Sequence, residues 1–266
     1  MTEIPQDALD AGSPSIARVY DFLLGGSHHF AADRAAAEEF LARWPDARET
    51  MRVNRAFLGR ATRYLAGQAG IRQFLDIGSG IPTMGNVHEI AQQAAPDARV
   101  AYIDIDPVAV LHSRIILTGN DNAIAVQADL RKPGEILRLF SLDGLLDLSQ
   151  PTALLLVAVL HFFPETDEPA RLIAGLRHAL APGSYLVISH GTTDGQPAHV
   201  REAMNHYAQT TAPFVPRSHA EILRYFDGLD LVEPGLVSAP LWRPDDPGEA
   251  ANARQVAVYG GVGIKQ

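Results

Sequence analysis

From Arg72 onward the chain alternates short aliphatic runs with segments of helical periodicity, and this alternation restricts the possible folds more than any other feature. The runs lie at 74–77, 100–105, 124–128, 153–159 and 185–189, with helical segments between them. Strand, helix, strand repeated in this way predicts a parallel sheet covered on both faces by helices, an α/β fold. Two helix starts are marked by capping boxes, Asn86 with Glu89 and Ser218 with Glu221, in which each side chain serves the other residue's backbone N–H.

The flanking regions read differently. Ser13-Pro14-Ser15 opens a first helix carrying Ile16, Val19, Tyr20, Leu23 and Leu24 at helical spacing, and Gly25-Gly26 stops it. A second helix spans 33–44 and ends at Pro45; a third spans 48–65, with Met51, Phe57, Leu58, Ala61 and Leu65 as its buried face. Beyond the fifth run, residues 191–216 are rich in Gly, Thr, Pro and His and contain a helical stretch at 198–209. This part reads as an excursion over the carboxyl edge of the sheet. Residues 230–236 and 255–260 read as two closing strands around a turn at 244–248. The expected organisation is a helical cap over 1–70 and a core over 71–266 with the excursion at about 191–216.

Composition removes several function classes. Of 266 residues 47% are hydrophobic and 20% charged, as in an ordinary globular protein, and the net charge of −9 is scattered along the chain. Proteins that grip nucleic acid present a basic face. Here the densest basic stretch, Arg48, Arg52, Arg55, Arg60 and Arg63, is interleaved with apolar residues and reads as a solvated helix face, so no nucleic-acid partner is expected. The absence of cysteine excludes disulfides and thiolate chemistry. The ten histidines show no ligand spacing, and no metal site is expected. Residues 1–11 are unlike a signal peptide, and the longest apolar run, 153–160, is far short of the ~20 residues of a membrane span. A cytoplasmic location with no membrane partner is expected; the oligomeric state is not set by the sequence.

The segment Phe74-Leu75-Asp76-Ile77-Gly78-Ser79-Gly80-Ile81-Pro82 carries the first chemistry. An apolar strand running into two glycines turns sharply and brings backbone close to a ligand at the carboxyl edge. A dinucleotide site wants a third glycine where Thr83 stands and free amides for a pyrophosphate, whereas Pro82 has no N–H. Asp76 would repel a pyrophosphate but suits the ammonium and sulfonium of S-adenosylmethionine. Asp76, Gly78, Ser79 and Gly80 are therefore the first candidate ligand residues. In Tyr102-Ile103-Asp104-Ile105-Asp106-Pro107, Asp104 stands 28 residues after Asp76, where a carboxylate accepts ribose hydroxyls, with Ile105 beside it. Asp106, directly before Pro107, reads as a helix cap. Asp129-Leu130 ends the third run; Asp129 is either a turn residue or an acceptor for the adenine amino group. A nicotinamide-dependent oxidoreductase and a non-catalytic protein that binds S-adenosylmethionine are the competing readings.

Ala17-Arg18-Val19-Tyr20-Asp21, Leu24-Gly25-Gly26, Asn54-Arg55-Ala56-Phe57, Gln73 through Gly78, Pro82-Thr83, Asn86-Val87-His88-Glu89 and Val157 through Phe162 resemble the actinobacterial S-adenosyl methyltransferase family first catalogued as a domain of unknown function, within the class I superfamily. The resemblance covers nearly the whole chain. It implies a Rossmann-like, mostly parallel seven-stranded sheet with an N-terminal helical cap, cofactor roles for Gly78, Gly80, Asp104 and Asp129, and methyl transfer to oxygen or nitrogen of a small molecule, leaving S-adenosylhomocysteine. Ser27-His28-His29 departs from the Lys-Asp-Asn-like triplet more usual in the family. Arg18, Tyr20, Asp21 and Arg55 either fold over the cofactor, with an arginine on its carboxylate, or form a packing surface; Tyr20 and Arg55 are taken as cofactor residues. His161, just past the fourth run, is the first candidate general base, and His190, past the fifth, the second; each is equally a hydrogen-bonding loop histidine. His199 and His206 are placed to line a lid.

Overall fold

A computed structural model describes residues 12–82, 85–210, 212–246, 248 and 256–266. The segment 1–11, Thr83 and parts of the expected turn at 244–248 and strand at 255–260 lie outside the described residues. Three helices come first, α1 (Ile16–Leu24), α2 (Ala31–Arg43) and α3 (Ala47–Gly67). Then follow β1 (Gln73–Ile77), α4 (Val87–Ala94), β2 (Arg99–Asp104), α5 (Pro107–Ile116), β3 (Ala123–Gln127), α6 (Pro133–Asp143), β4 (Ala153–Val157), α7 (Pro169–Ala179) and β5 (Tyr185–Gly191). The chain ends with α8 (Ala198–Thr210), α9 (His219–Leu223), β6 (Asp230–Leu231), β7 (Val237–Ser238) and β8 (Val258–Ile264).

The sheet has eight strands among the described residues where seven were expected, since the closing segment splits into two short strands: it runs β3-β2-β1-β4-β5-β8-β6, with β7 pairing β8 off this path. Strands β1 to β5 are mutually parallel, while β8 lies antiparallel to β5, Ile188 opposite Gly261. The chain moves outward from β1 on one side through β2 and β3 and on the other through β4, so a crevice opens at the carboxyl ends of β1 and β4, where such sheets bind ligands.

Alternate residues of each strand face opposite sides. Phe74, Leu155 and Val187 pack with Phe57, Leu58, Ala61 and Leu65 of α3 on one face. Leu75, Leu154, Leu156 and Ile188 pack with Ile136, Ile173 and Leu176 of α6 and α7 on the other. A third cluster joins Val19 and Leu23 of α1, Phe40 of α2, and Val200, Met204 and Tyr207 of α8.

Three further expectations are corrected. The run at 230–236 forms two-residue strands on either side of a turn, because Pro234 and Gly235 interrupt the pairing and the Gly235 N–H donates to the Val232 carbonyl at 2.8 Å. The last strand begins later and runs longer than 255–260; its glycines hide it from pattern reading but fit α3 closely, since a Cβ on Gly260 would lie 2.8 Å from the Phe57 ring. The arginines of α3 are not a uniformly solvated face either. Arg60 is buried and donates to the carbonyls of Trp242 and Ala239, at 2.8 and 2.7 Å.

Candidate active site

A cavity of about 250 Å³ occupies the crevice, walled by the turn after β1, the ends of β2, β3 and β4, and residues of α1 and α3. Asp76, Gly78, Ser79, Gly80, Asp104, Ile105, Asp129, Leu130, Tyr20 and Arg55 all line it. Gly78 has φ +72°, and a Cβ there would come within 2.3 Å of Val159 Cγ2, so both backbone and packing demand glycine. The amides of the turn are already used. Gly78 and Ser79 donate to the Ile103 carbonyl at 2.8 and 3.2 Å, and Gly80 donates to Asp104 Oδ2 at 2.7 Å. A pyrophosphate therefore finds no row of free N–H groups in this turn.

The carboxylates divide by environment. Asp104 also accepts the Asp106 N–H at 2.9 Å on Oδ1; burial pushes its pKa up to about 6 against these backbone bonds. Each oxygen retains a lone pair for a ribose hydroxyl. Asp76 is buried and accepts no hydrogen bond from a described residue; burial pushes its pKa up to about 7, with Arg55 opposing and Asp104 reinforcing the rise. Arg55 lines the same cavity, and its buried Nε has no partner among the described residues. A guanidinium on a cavity wall, with a buried N–H left without a partner, calls for an anionic ligand group. Ile105, more than half exposed, adds an apolar wall. Asp129 lines the cavity and also makes a turn, accepting the Arg131 N–H at 2.9 Å beside that residue's guanidinium. Orphaned guanidinium, unpartnered carboxylate and exposed aliphatic surface fit the carboxylate, ammonium and adenosine of S-adenosylmethionine.

Asp106 caps α5 by accepting the Val108 N–H at 2.8 Å, and its other oxygen takes Ser15 Oγ and lies 3.5 Å from Arg18. Arg18 in turn pairs with Asp33 at 2.8 Å. Asp21, with Ser27-His28-His29 folded over it, lines neither cavity: its carboxylate accepts the His28 N–H at 2.7 Å and lies 3.0 Å from His29 Nδ1.

The two candidate bases part company. His161 sits in a 3-10 turn after β4 and lines a second, smaller cavity of about 60 Å³. Its Nδ1 accepts the Gly191 N–H at 3.1 Å, so the neutral ring carries its proton on Nε2; burial, His190 and Arg217 hold its pKa well below the ordinary value. This makes His161 a hydrogen-bond donor rather than a ready base. His190 lines neither cavity. It is fully buried, with Nδ1 on the Gly191 carbonyl at 2.8 Å and Nε2 accepting from Arg217 at 3.1 Å, and burial lowers its pKa to about 3. Nor do His199 and His206 reach either cavity; His206 reaches Glu39 of α2 at 2.7 Å.

Asn54 was missed as a site residue. It donates to Tyr20 OH at 2.9 Å and accepts from Ser189 Oγ at 2.5 Å, while Tyr20 donates to the Met51 carbonyl at 3.3 Å and Ser189 accepts the Ala158 N–H at 2.9 Å. A polar residue three before Phe57 on the apolar stripe of α3 was the available signal, because a buried amide must find partners.

A model of the S-adenosyl methyltransferase family matches residues 2–266. The chain belongs to this family. S-adenosylmethionine is its cofactor, which decides the reading of the glycine turn against a nicotinamide dinucleotide. The chain is similar to a DUF574 family protein of Streptomyces avermitilis MA-4680, with 40% identity over 97% of this chain and 99% of that one and a TM-score of 0.92. A candidate methyltransferase of Thermobifida fusca YX matches at 39% identity over the full length of both, with a TM-score of 0.90. The mitomycin 7-O-methyltransferase MmcR shares the Rossmann-like fold at 17% identity, over 98% of this chain and 66% of that one, with a TM-score of 0.54. No match was found among curated proteins. No helix among the described residues is long and apolar enough to cross a membrane.

Proposed function

We propose that the protein catalyses methyl transfer from S-adenosylmethionine to oxygen or nitrogen of a small-molecule acceptor. The observation that carries the reading is the buried Arg55 Nε, without a partner, on the wall shared with Asp76 and Asp104. Arg55 would hold the cofactor carboxylate, Asp76 its ammonium, Asp104 the ribose hydroxyls and Asp129 the adenine amino group. When bound, the cofactor supplies an electrophilic methyl group on a sulfonium. The acceptor's lone pair would take up that methyl group with S-adenosylhomocysteine as the leaving group, and the acceptor's proton would pass to solvent. Positioning supplies most of the acceleration in such an in-line displacement. Tyr20 and Asn54, fixed by their hydrogen bonds, form the wall against which the acceptor is set. His161 offers it an N–H.

Calorimetric titration with S-adenosylhomocysteine and with the oxidised nicotinamide dinucleotide tests the cofactor assignment. Binding of the first and not the second is expected, and Arg55→Met should weaken it strongly. Unaltered binding in Arg55→Met would remove the observation on which the assignment rests.

A further inference from the structure

We infer that the second cavity is the acceptor site and that it takes the ring of a small, neutral aromatic compound of the phenol kind; this rests on the methyl transfer proposed above. Ile16, Tyr20, Asn54, Ala158 and Phe162 line both cavities, so these residues stand between the cofactor crevice and the smaller space. A compound lodged there presents one end to the crevice.

The chemistry of the walls selects the compound. No Asp, Glu, Lys or Arg is among the described lining residues, and His161, the one titratable ring apart from the tyrosines, is held neutral by burial. A carboxylate, phosphate or ammonium would be desolvated there without a counter-charge, at a cost that ordinary contacts do not recover. Phe40, Trp44, Tyr207 and Phe214 offer ring faces and edges, and Met51 and Met204 offer unbranched thioethers that adapt their shape. Of the polar side chains on its wall, Tyr20 and Asn54 also line the crevice, whereas Thr50, His161 and Tyr207 line the smaller cavity alone. Tyr20 and Asn54 belong to the chain of hydrogen bonds from the Ala158 N–H through Ser189 to the Met51 carbonyl. That chain is complete without a ligand. It is anchored at Ala158, whose φ of +56° is a strained conformation for a residue with a Cβ, and such strain gathers where a ligand is held. His161 keeps Nε2–H for the acceptor's heteroatom because Nδ1 is occupied by Gly191.

Size sets a further limit. Native cores leave few apolar voids larger than a water molecule, and an engineered void of about 150 Å³ takes one benzene. At about 60 Å³ this cavity admits one ring only when Met51 or Met204 turns aside. Fused rings are excluded.

The test uses the full chain saturated with S-adenosylhomocysteine. Trp44 lines the cavity, whereas Trp242 packs against Phe57 in the sheet core, so ligand entry is read as a change in Trp44 fluorescence and confirmed by calorimetry. Binding of p-cresol should exceed that of p-hydroxybenzoate and tyramine by at least about tenfold, the consequence of burying an unpaired charge. Ala257→Leu fills the cavity and should weaken p-cresol at least about tenfold; Met204→Ala enlarges it and should shift preference toward p-propylphenol. Equal affinity for the charged analogues overturns the inference, as does p-cresol binding that neither variant alters while S-adenosylhomocysteine still binds. Failure of S-adenosylhomocysteine to bind the unmodified protein overturns the proposed function itself, and with it the assignment of an acceptor site.

Discussion

Asp76 should give up a proton when the cofactor binds. In the free protein its carboxyl group has a pKa of about 7, because burial disfavours the charged form and Arg55 only partly compensates. At pH 7 it is therefore about half protonated. A ligand ammonium placed against it favours the carboxylate, so binding of S-adenosylhomocysteine at pH 7 should release about half a proton from Asp76, and Asp104, at about 6, should add about a tenth. Calorimetry in phosphate and in Tris, whose ionisation enthalpies differ, measures this number directly. Release of protons on binding means that affinity rises with pH, by up to about tenfold per pH unit between about 6 and 7 and more steeply below 6, where Asp104 also releases its proton, and levels off above 7. Stability of the free protein follows the opposite course. Both folded pKa values lie above the ordinary carboxylate value of 3.8, so the stabilisation linked to these two protons is complete below about pH 4 and is lost as pH rises through about 6 to 7. For Asp76 alone the difference is about three pH units, on the order of 4 kcal/mol at about 1.4 kcal/mol each. Asp76→Asn should abolish most of the release, flatten the pH dependence of binding, and raise Tm at pH 8 more than at pH 5. Proton uptake, or binding enthalpies identical in the two buffers between pH 6 and 7, would refute the assignment of Asp76 to a cationic group.

Asp104→Ala should weaken S-adenosylhomocysteine binding by about 1.5 to 3 kcal/mol, the range for hydrogen bonds to a charged acceptor, and Asp106→Ala by less; a reversed order in calorimetry would move the ribose to Asp106. Arg217→Met should lower stability by about 3 to 5 kcal/mol in urea denaturation, because it strands the carbonyls of Leu160 and Phe163 and His190 Nε2 while leaving the cofactor cavity untouched; a change below about 1 kcal/mol would show that water replaces the guanidinium. For His161 the decisive comparison is Gln against Ala. A donor role predicts that His161→Ala slows methylation of p-cresol by about tenfold or more, that His161→Gln recovers much of the rate, and that S-adenosylhomocysteine affinity is unchanged in both; a general base would leave Gln as slow as Ala.

The parallel half of the sheet was legible because β1, β2, β4 and β5 are aliphatic runs buried on both faces and the edge strand β3 keeps an aliphatic pattern though half-buried, and their bounds differ from the sequence reading by at most two residues at each end. The antiparallel end was not. Gly260, Gly261 and Gly263 remove the aliphatic pattern, and the partner of β8 lies far back in the chain, at β5. The crevice acids could be found because a turn and the carboxylates after it are local features. The wall between the cavities could not, since Asn54 and Ser189 meet across 135 residues. The error over His190 had a physical remedy within the sequence. Successive residues of a strand face opposite sides, and Leu186 and Ile188 belong to the face covered by α6 and α7, while Val187 belongs to the face covered by α3. Ser189 therefore turns toward α3 and Asn54, and His190 must turn away from it, toward Arg217.

What joins the two cavities is α1. Ile16 and Tyr20 line both, and the helix is held by Arg18, whose guanidinium lies between Asp33 of α2 and Asp106 at the start of α5, all three side chains at most 10% exposed. Buried ions of this kind add little net stability, since apolar replacements are often neutral or better. Their placement is more informative than their energy. Asp106 is tied to Asp104 by the Asp106 N–H, and Asp104 is tied to the glycine turn by Gly80, so the chain of contacts runs from α2 through Arg18, Asp106 and Asp104 to the turn after β1. Ile16 and Tyr20 thus stand on the helix that Arg18 ties to this cluster, beside both cavities.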